Sequence, residues 1–333
     1  MECLIIVGLW CAHPDYNMRP SIQQAIQMLN FEIPLPPLPS KMPAATYFTA
    51  PKSLSMLSRD TSGSQGGQTG YGHNTYTSHD CANAWDVKDV DGFSLFLCAS
   101  PNEPVPPPHQ QRIGPRKFSY SKLARATSNF KEGEKLGEGG FGGVYIGFIP
   151  DLQSYVAVKK ILRSSKQRSK EYALEVKIIS QLRHRNLVQL IGWCYERKFL
   201  LVYEFMPNGS LDSHLFKEQS LLTWETRYKI AQGLASGLLY LHKEGEQCVL
   251  HRDIKSSNVM SDSNFNPKLG DFGLARLVDH GKESQTTILA ATMGCMAPDY
   301  VNTGKASKVY SFGVVALEIA CGREPIDPKY GSS

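Results

Sequence analysis

The chain has no Cys-x-x-Cys pair, no apolar run of membrane-spanning length and no concentrated basic stripe. Its 8 cysteines are scattered singly, which indicates neither a zinc ligand set nor a disulfide framework and fits a reducing setting. The longest apolar stretches are Leu4 to Ala12, Phe93 to Ala99 and Phe312 to Cys321. All fall well short of the ~20 residues a transmembrane helix needs. Residues 1–12 carry Glu2 and no basic flank, so they do not read as a signal peptide. The net charge of +5 is too mild to point to nucleic acid. A chain of 333 residues with 41% hydrophobic and 20% charged residues suits one large or two small globular domains.

The organisation is uneven along the chain. Residues 1–30 are apolar and read as helical. Arg19-Pro20-Ser21-Ile22 is expected to open a helix with Pro in its first turn, and Ile22, Ala25, Ile26 and Leu29 make one apolar face. Residues 31–116 read as a linker, largely disordered. It holds a polyproline-like run, Pro34-Leu35-Pro36-Pro37-Leu38-Pro39, read as a spacer, with an SH3 or WW ligand as the alternative. A Ser/Thr/Gly/Tyr-rich stretch follows over 40–80 and a Pro-rich one over 101–116. Asp89-Val90-Asp91-Gly92 hints at a calcium loop, but Val87 and Cys98 stand where acidic ligands belong, which excludes it.

Chemistry concentrates further on. His251-Arg252-Asp253-Ile254-Lys255-Ser256-Ser257-Asn258 is followed, thirteen residues after Asn258, by Asp271-Phe272-Gly273. This order and spacing fit phosphoryl transfer, which is mostly positioning plus electrostatics. A carboxylate such as Asp253 can orient a hydroxyl and take its proton. Asn258 and Asp271 offer hard oxygen ligands to Mg²⁺. Lys255 lies where an ammonium can reach a γ-phosphate.

The upstream parts come in matching order. Gly137, Gly139, Gly142 and Val144 spell G-x-G-x-x-G-x-V, whose backbone can approach phosphates. Val156-Ala157-Val158-Lys159 is an apolar strand ending in a cation. Lys170 to Leu182 reads as a helix, and Glu175 within it is placed to ion-pair with Lys159.

On these motifs residues 117–322 resemble a eukaryotic protein kinase, specifically a plant receptor-like kinase of the L-type lectin-domain group. Arg183-His184-Arg185-Asn186-Leu187-Val188-Gln189-Leu190-Ile191-Gly192-Trp193-Cys194 and Leu201-Val202-Tyr203-Glu204-Phe205-Met206 carry the closest wording. The resemblance implies an α+β bilobal fold. The N-lobe, residues 117–202, would be an antiparallel sheet with one helix, and residues 203–333 a mainly helical, truncated C-lobe. It implies ATP and Mg²⁺, with catalytic roles for Asp253, Lys255, Lys159 and Glu175. Adenine would be framed by Leu136, Val144, Ala157 and Met260, with hinge contacts from Glu204 to Met206 and Tyr203 as gatekeeper. Lys255 and Thr292 resemble the serine/threonine-specific pattern, so a protein Ser/Thr hydroxyl is the expected acceptor. A cytoplasmic setting is expected, or the cytoplasmic face of the plasma membrane. The lectin domain and membrane span of that family are not found in this sequence.

Gly8-Leu9-Trp10-Cys11-Ala12-His13-Pro14 and Arg19-Pro20-Ser21 resemble the far end of the same kind of kinase. The order is therefore end-piece, linker, then a kinase cut short after Gly322-Arg323-Glu324-Pro325, as a gene fusion or a mis-joined gene model would give. The 86 residues between Asn30 and Lys117 span about 50 Å as a flexible chain. Residues 2–30 are expected to pack on the C-lobe near Asp299. Three departures from the family pattern bear on activity: Asp299 after Ala-Pro, Lys308 where an acidic anchor for the catalytic loop is expected, and Ser261 in place of an apolar residue. An ATP-binding chain without transfer activity is the alternative reading. Ser284, Thr286 and Thr287 are candidate phosphosites.

Overall fold

The computed structural model describes residues 1–37, 114–139, 142–161, 166–196, 198–217, 222–244, 248–278 and 308–325. The poly-proline run beyond residue 37, Asp299, Thr292 and the three candidate phosphosites lie outside them, as does the side chain of Lys308.

The N-terminal half of the kinase-like region is a six-stranded sheet in the order β1-β5-β6-β4-β3-β2. Its strands are β1 (Arg116–Lys117), β2 (Lys135–Gly139), β3 (Gly142–Ile149), β4 (Ser154–Ile161), β5 (Leu190–Cys194) and β6 (Phe199–Glu204). Side chains alternate across a strand. In β4 that alternation drops Val156 and Val158 into a cluster with Phe118, Leu123, Ile149, Cys194, Leu200 and Val202. Ala157 and Lys159 therefore project from the opposite face. The expected α+β architecture is present with two additions. β1 joins the sheet edge parallel to β5, and a short helix, Tyr120–Ala126, precedes β2 with Ser119 as its N-cap. The sheet also runs to Glu204, two residues past the expected lobe boundary.

Numbering the described helices in chain order, α1 is Glu2–Cys11, α2 Ile22–Leu29, α3 Tyr120–Ala126, α4 Lys166–Gln181, α5 Leu211–Phe216, α6 Trp224–Leu239 and α7 Lys308–Cys321. Helix α4 buries Tyr172, Glu175, Val176 and Ile179, the spacing of one helical stripe. Helix α6 does the same with Ile230, Ala231, Leu234 and Leu238. Short strand pairs β7 (Cys248–Leu250) with β10 (Arg276–Val278), and β8 (Val259–Ser261) with β9 (Pro267–Leu269), carry the loops between them.

The end-piece at residues 1–30 docks on this helical half. Helix α1 is apolar all round, as a buried helix should be, and Leu4, Val7 and Cys11 are fully buried. It crosses α7 at two glycines. A Cβ on Gly313 would stand 2.8 Å from the Gly8 carbonyl oxygen, so only a bare backbone allows this approach. Helix α2 starts from a capping box between Ser21 and Gln24. Pro20 lies just before the cap rather than in the first turn. Ile22, Ala25, Met28 and Leu29 are its buried residues, with Met28 in the place expected for Ile26. A polar rim fixes the dock: Tyr228 Oη donates to the Leu29 carbonyl at 2.7 Å, and Lys243 Nζ donates to Gln23 Oε1 at 2.7 Å. Arg19 donates to the carbonyls of His13 and Pro14 and lies over the Tyr310 ring at 4.9 Å. Asp299, its expected partner, is outside the described residues.

Candidate active site

Strand β4 and helix α4 bring Lys159 and Glu175 together. Lys159 Nζ is 3.2 and 3.3 Å from the two Glu175 oxygens and 2.8 Å from Asp271 Oδ1. Burial works against the lysine's charge, but the two carboxylates outweigh it and hold the ammonium above its usual range. Asp271 is held below the usual carboxylate range: burial opposes ionisation, and Lys159 overcomes it. Glu175 is raised, because its burial and the nearby Asp271 exceed what Lys159 and Tyr203 return. The Tyr203 hydroxyl, on β6, donates to Glu175 Oε1 at 2.5 Å. Sequence reasoning placed Tyr203 by resemblance but missed this bond.

The 251–258 loop closes on itself. His251 Nε2 meets the Gly270 carbonyl at 2.9 Å, and its Nδ1 accepts from the Asp253 amide at 3.3 Å. That pairing uses a neutral imidazole, and burial lowers the ring's pKa in the same direction. The Asn258 amide nitrogen donates to the Asp253 carbonyl at 2.8 Å and to its Oδ2 at 2.9 Å. Lys255 Nζ is 2.9 Å from the same Oδ2. Lys255 and Asn258 thus meet on the carboxylate of Asp253. Arg252 and Asp271 both take left-handed backbone angles, φ 70 and 58, the conformation that L residues adopt chiefly at constrained sites. Phe272 is fully buried and packs its ring on His251 at 4.7 Å.

The remaining expected site residues lie on the glycine strands and around the end of β6. Gly142 has φ +132, and a Cβ there would meet the Lys160 carbonyl at 2.0 Å, so glycine is required. A Cβ on Gly137 would meet nothing within 4 Å. Gly139 ends β2 opposite Gly142. Val144 pairs with Lys159 and Ala157 with Tyr203 across the sheet. Leu136 is 49% exposed on β2, and Met260 sits in β8 beside Ser210. The Glu204 carboxylate is committed to Lys268, at 2.9 Å, and to the Gln189 amide, at 2.8 Å. Any hinge contact from Glu204 therefore falls to its backbone. Met206 is buried just beyond it. Ser261 is fully buried and its hydroxyl has no partner among the described residues.

The donor set suits magnesium. With its nitrogen spent on Asp253, Asn258 has an amide oxygen to offer, and Asp271 adds a carboxylate. One or two such ligands, with phosphates and water, are what this ion takes. Among the described residues, no helix is long and apolar enough to cross a membrane.

Comparison with known proteins agrees with the geometry. The family model of the protein kinase domain matches residues 130–333. The L-type lectin-domain containing receptor kinase IX.1 of Arabidopsis thaliana is 64% identical over 226 residues, covering 67% of this chain and 35% of the relative. Receptor kinase IX.2 of the same plant is 60% identical over 223 residues, 66% of this chain and 33% of the relative. The L-type lectin-domain containing receptor kinase SIT2 of Oryza sativa subsp. japonica is 52% identical over 219 residues, 64% of this chain and 32% of the relative. The chain spans about a third of the length of these relatives.

Proposed function

This chain belongs to the protein kinase domain family, and on that premise we propose that it transfers the γ-phosphate of Mg·ATP to serine and threonine hydroxyls of protein substrates. The observation that carries the proposal is the position of Lys159 between Glu175 and Asp271, with a complete Asp253–Lys255–Asn258 cluster on the facing loop.

The residues divide the work. Lys159, fixed by Glu175, holds phosphate oxygens. Leu136, Gly137, Gly139, Gly142, Val144, Ala157 and Met260 enclose the nucleotide, with Glu204 and Met206 at the hinge. Asn258 and Asp271 would hold magnesium, which would neutralise phosphate charge when bound. Asp253 accepts the proton of the acceptor hydroxyl as its oxygen bonds to the γ-phosphorus and ADP leaves. Lys255, already paired with Asp253, is the cation that reaches the transferred phosphoryl group. The reading favours residues 1–30 as part of the C-lobe, 31–116 as linker, 117–202 as N-lobe and 203–333 as C-lobe. It places the chain in the cytoplasm or at the cytoplasmic face of the plasma membrane. Nothing in it draws on sugar binding.

The alternative is a nucleotide-binding chain without transfer. It turns on Lys308 and Asp299, whose side chains lie outside the described residues. One experiment separates the two readings. The purified chain and Lys308→Asp are given labelled Mg·ATP with a general protein acceptor, and the labelled amino acids are identified. Label on serine and threonine supports the proposal. Label on tyrosine alone overturns the specificity. No transfer by either protein, with Mg·ATP still raising the melting temperature, establishes the binding-only reading.

A further inference from the structure

The polyproline-like run after α2 has no part in the proposed chemistry, and its sequence restricts its backbone. Pro34, Pro36 and Pro37 each have φ fixed near about −65° and no N–H to give to a helix or a sheet. Ile33, Leu35 and Pro36 each precede a proline, which turns them from the helical region toward extended backbone. Together these limits leave polyproline II, a helix of about three residues per turn with no internal hydrogen bonds. Accordingly, residues 34–37 take no helix, strand or turn. Pro34 and Pro37 are exposed, whereas Leu35 and Pro36 between them are half-buried. A three-residue repeat puts Pro34 and Pro37 on one edge, and that edge faces solvent.

The run leaves the fold from a fixed corner. At the end of α2, Phe31 N–H donates to the Met28 carbonyl at 2.9 Å, and Glu32 N–H to the Gln27 carbonyl at 2.8 Å. This is the Schellman arrangement, which needs a left-handed residue just past the helix cap. Phe31 supplies it with φ 59, an uncommon conformation for a bulky residue. The Phe31 ring is held in place by stacking on Tyr228 of α6, with centroids 6.2 Å apart and planes 10° apart. Gln232 Nε2 ties the same corner, donating to the Leu29 carbonyl at 3.2 Å and to Asn30 Oδ1 at 3.1 Å. Only Glu32 and Ile33 separate Phe31 from Pro34. A spacer that merely joins two parts of a chain has no need of such an anchor.

We propose that Pro34–Pro37 is a recognition segment for a partner protein domain with an aromatic-lined groove, of the SH3 or WW kind. Such grooves take prolines spaced P-x-x-P along a polyproline II helix, the spacing of Pro34 and Pro37 on their exposed edge. The segment is extended before it binds, so it loses little chain entropy on docking. Pro104 and Pro107, in the second Pro-rich stretch, have the same spacing but lie outside the described residues. The solvent-facing edge and the fixed corner are features of the first run, and they assign the role to it. The docked end-piece thereby presents a ligand as well as completing the helical half.

The test immobilises the full chain and passes a panel of purified SH3 and WW domains over it, with affinities read by biolayer interferometry. At least one domain is expected to bind the parent protein. The double variant Pro34→Ala/Pro37→Ala is expected to weaken that binding about tenfold or more, because it removes both groove-filling rings. The double variant Pro104→Ala/Pro107→Ala is expected to stay within about twofold of the parent, as a distant and independent site should. A panel in which no domain binds the parent overturns the proposal, and so does unchanged affinity in Pro34→Ala/Pro37→Ala. Loss of binding in Pro104→Ala/Pro107→Ala instead overturns the assignment to the first run. Should Pro34→Ala/Pro37→Ala not fold, a synthetic peptide of residues 32–41 is added to the parent with its bound domain. Displacement of the domain is then the expected result, and failure to displace it overturns the proposal equally. Phosphate transfer enters none of these readouts, so their outcome is independent of the kinase reading.

Discussion

A Cβ placed on Gly313 would lie 2.6 Å from the Ala12 amide nitrogen and 2.8 Å from the Gly8 carbonyl oxygen, whereas one on Gly8 would lie 2.9 Å from the Leu317 side chain. The first obstacle is mainly backbone and the second mainly the Leu317 side chain, with the Gly313 carbonyl oxygen further off at 3.3 Å. Gly313→Ala should therefore cost about 1–3 kcal/mol, the usual penalty for overpacking. Gly8→Ala should cost less, because Leu317 can turn aside. Urea denaturation of the two variants checks this ordering. Equal stabilities would mean that α1 does not dock where the crossing puts it.

Ser261 offers the opposite sign. It is fully buried in β8 and its hydroxyl has no partner among the described residues, and a buried polar group left without a bond costs about 1–3 kcal/mol. Ser261→Ala should stabilise the chain by about 1 kcal/mol, since it deletes the hydroxyl and leaves the small side chain. A lower melting temperature in this variant would show that the hydroxyl has found a partner.

Lys159 serves two carboxylates, and its removal should affect both fold and function. Lys159→Met leaves Glu175 and Asp271 without their shared cation. Phosphate transfer should fall by about 100-fold or more, as when a preorganised charge is removed from a phosphoryl-transfer site. The increase in melting temperature on adding Mg·ATP should shrink as well. Glu175, already raised by burial, should then hold its proton still more tightly. Isothermal calorimetry with Mg·ATP measures the binding half of this prediction, and a wild-type affinity would remove Lys159 from the phosphate site.

Much of this site was legible in the sequence, for a local reason. Asp253, Lys255 and Asn258 lie on one loop, so their spacing alone sets their neighbourhood. Lys159 and Glu175 lie apart, and only the order of motifs suggested that they meet; the pairing of Lys159 with Asp271 was not expected. The Tyr203 hydroxyl on Glu175 left no such trace. It joins elements far apart in the chain, and each residue type is ordinary in a strand or a helix. Pro20 lies two residues before the first helical residue rather than in the first turn, because Ser21 is the stronger cap. Helix α3 carried a readable signal in Ser119, which caps it, but seven residues are too few for an apolar period to show. The two-residue strand β1 shows no period at all.

Glu318 gives the last prediction, in its dependence on pH. Burial, reinforced by Glu324 and Asp212, pushes its carboxyl up to about 7 against the hydrogen bonds from Ser256. Between pH 4.5 and 7 the unfolded chain releases this proton while the folded chain keeps it. Folded protein then binds more protons than unfolded, so stability falls as pH rises through this window. The shift corresponds to about 3 kcal/mol at one pH unit per 1.36 kcal/mol, present as a penalty above pH 7 and absent below pH 4.5. Glu318→Gln cannot titrate and escapes that penalty. The stability difference between Glu318→Gln and the parent should therefore move in favour of the variant as pH rises from 4.5 to 8. Taking the difference cancels the other titrating groups, which both proteins share. Urea midpoints at four pH values across that range measure it. A difference that stays flat would show that Glu318 ionises on α7 as easily as in the unfolded chain.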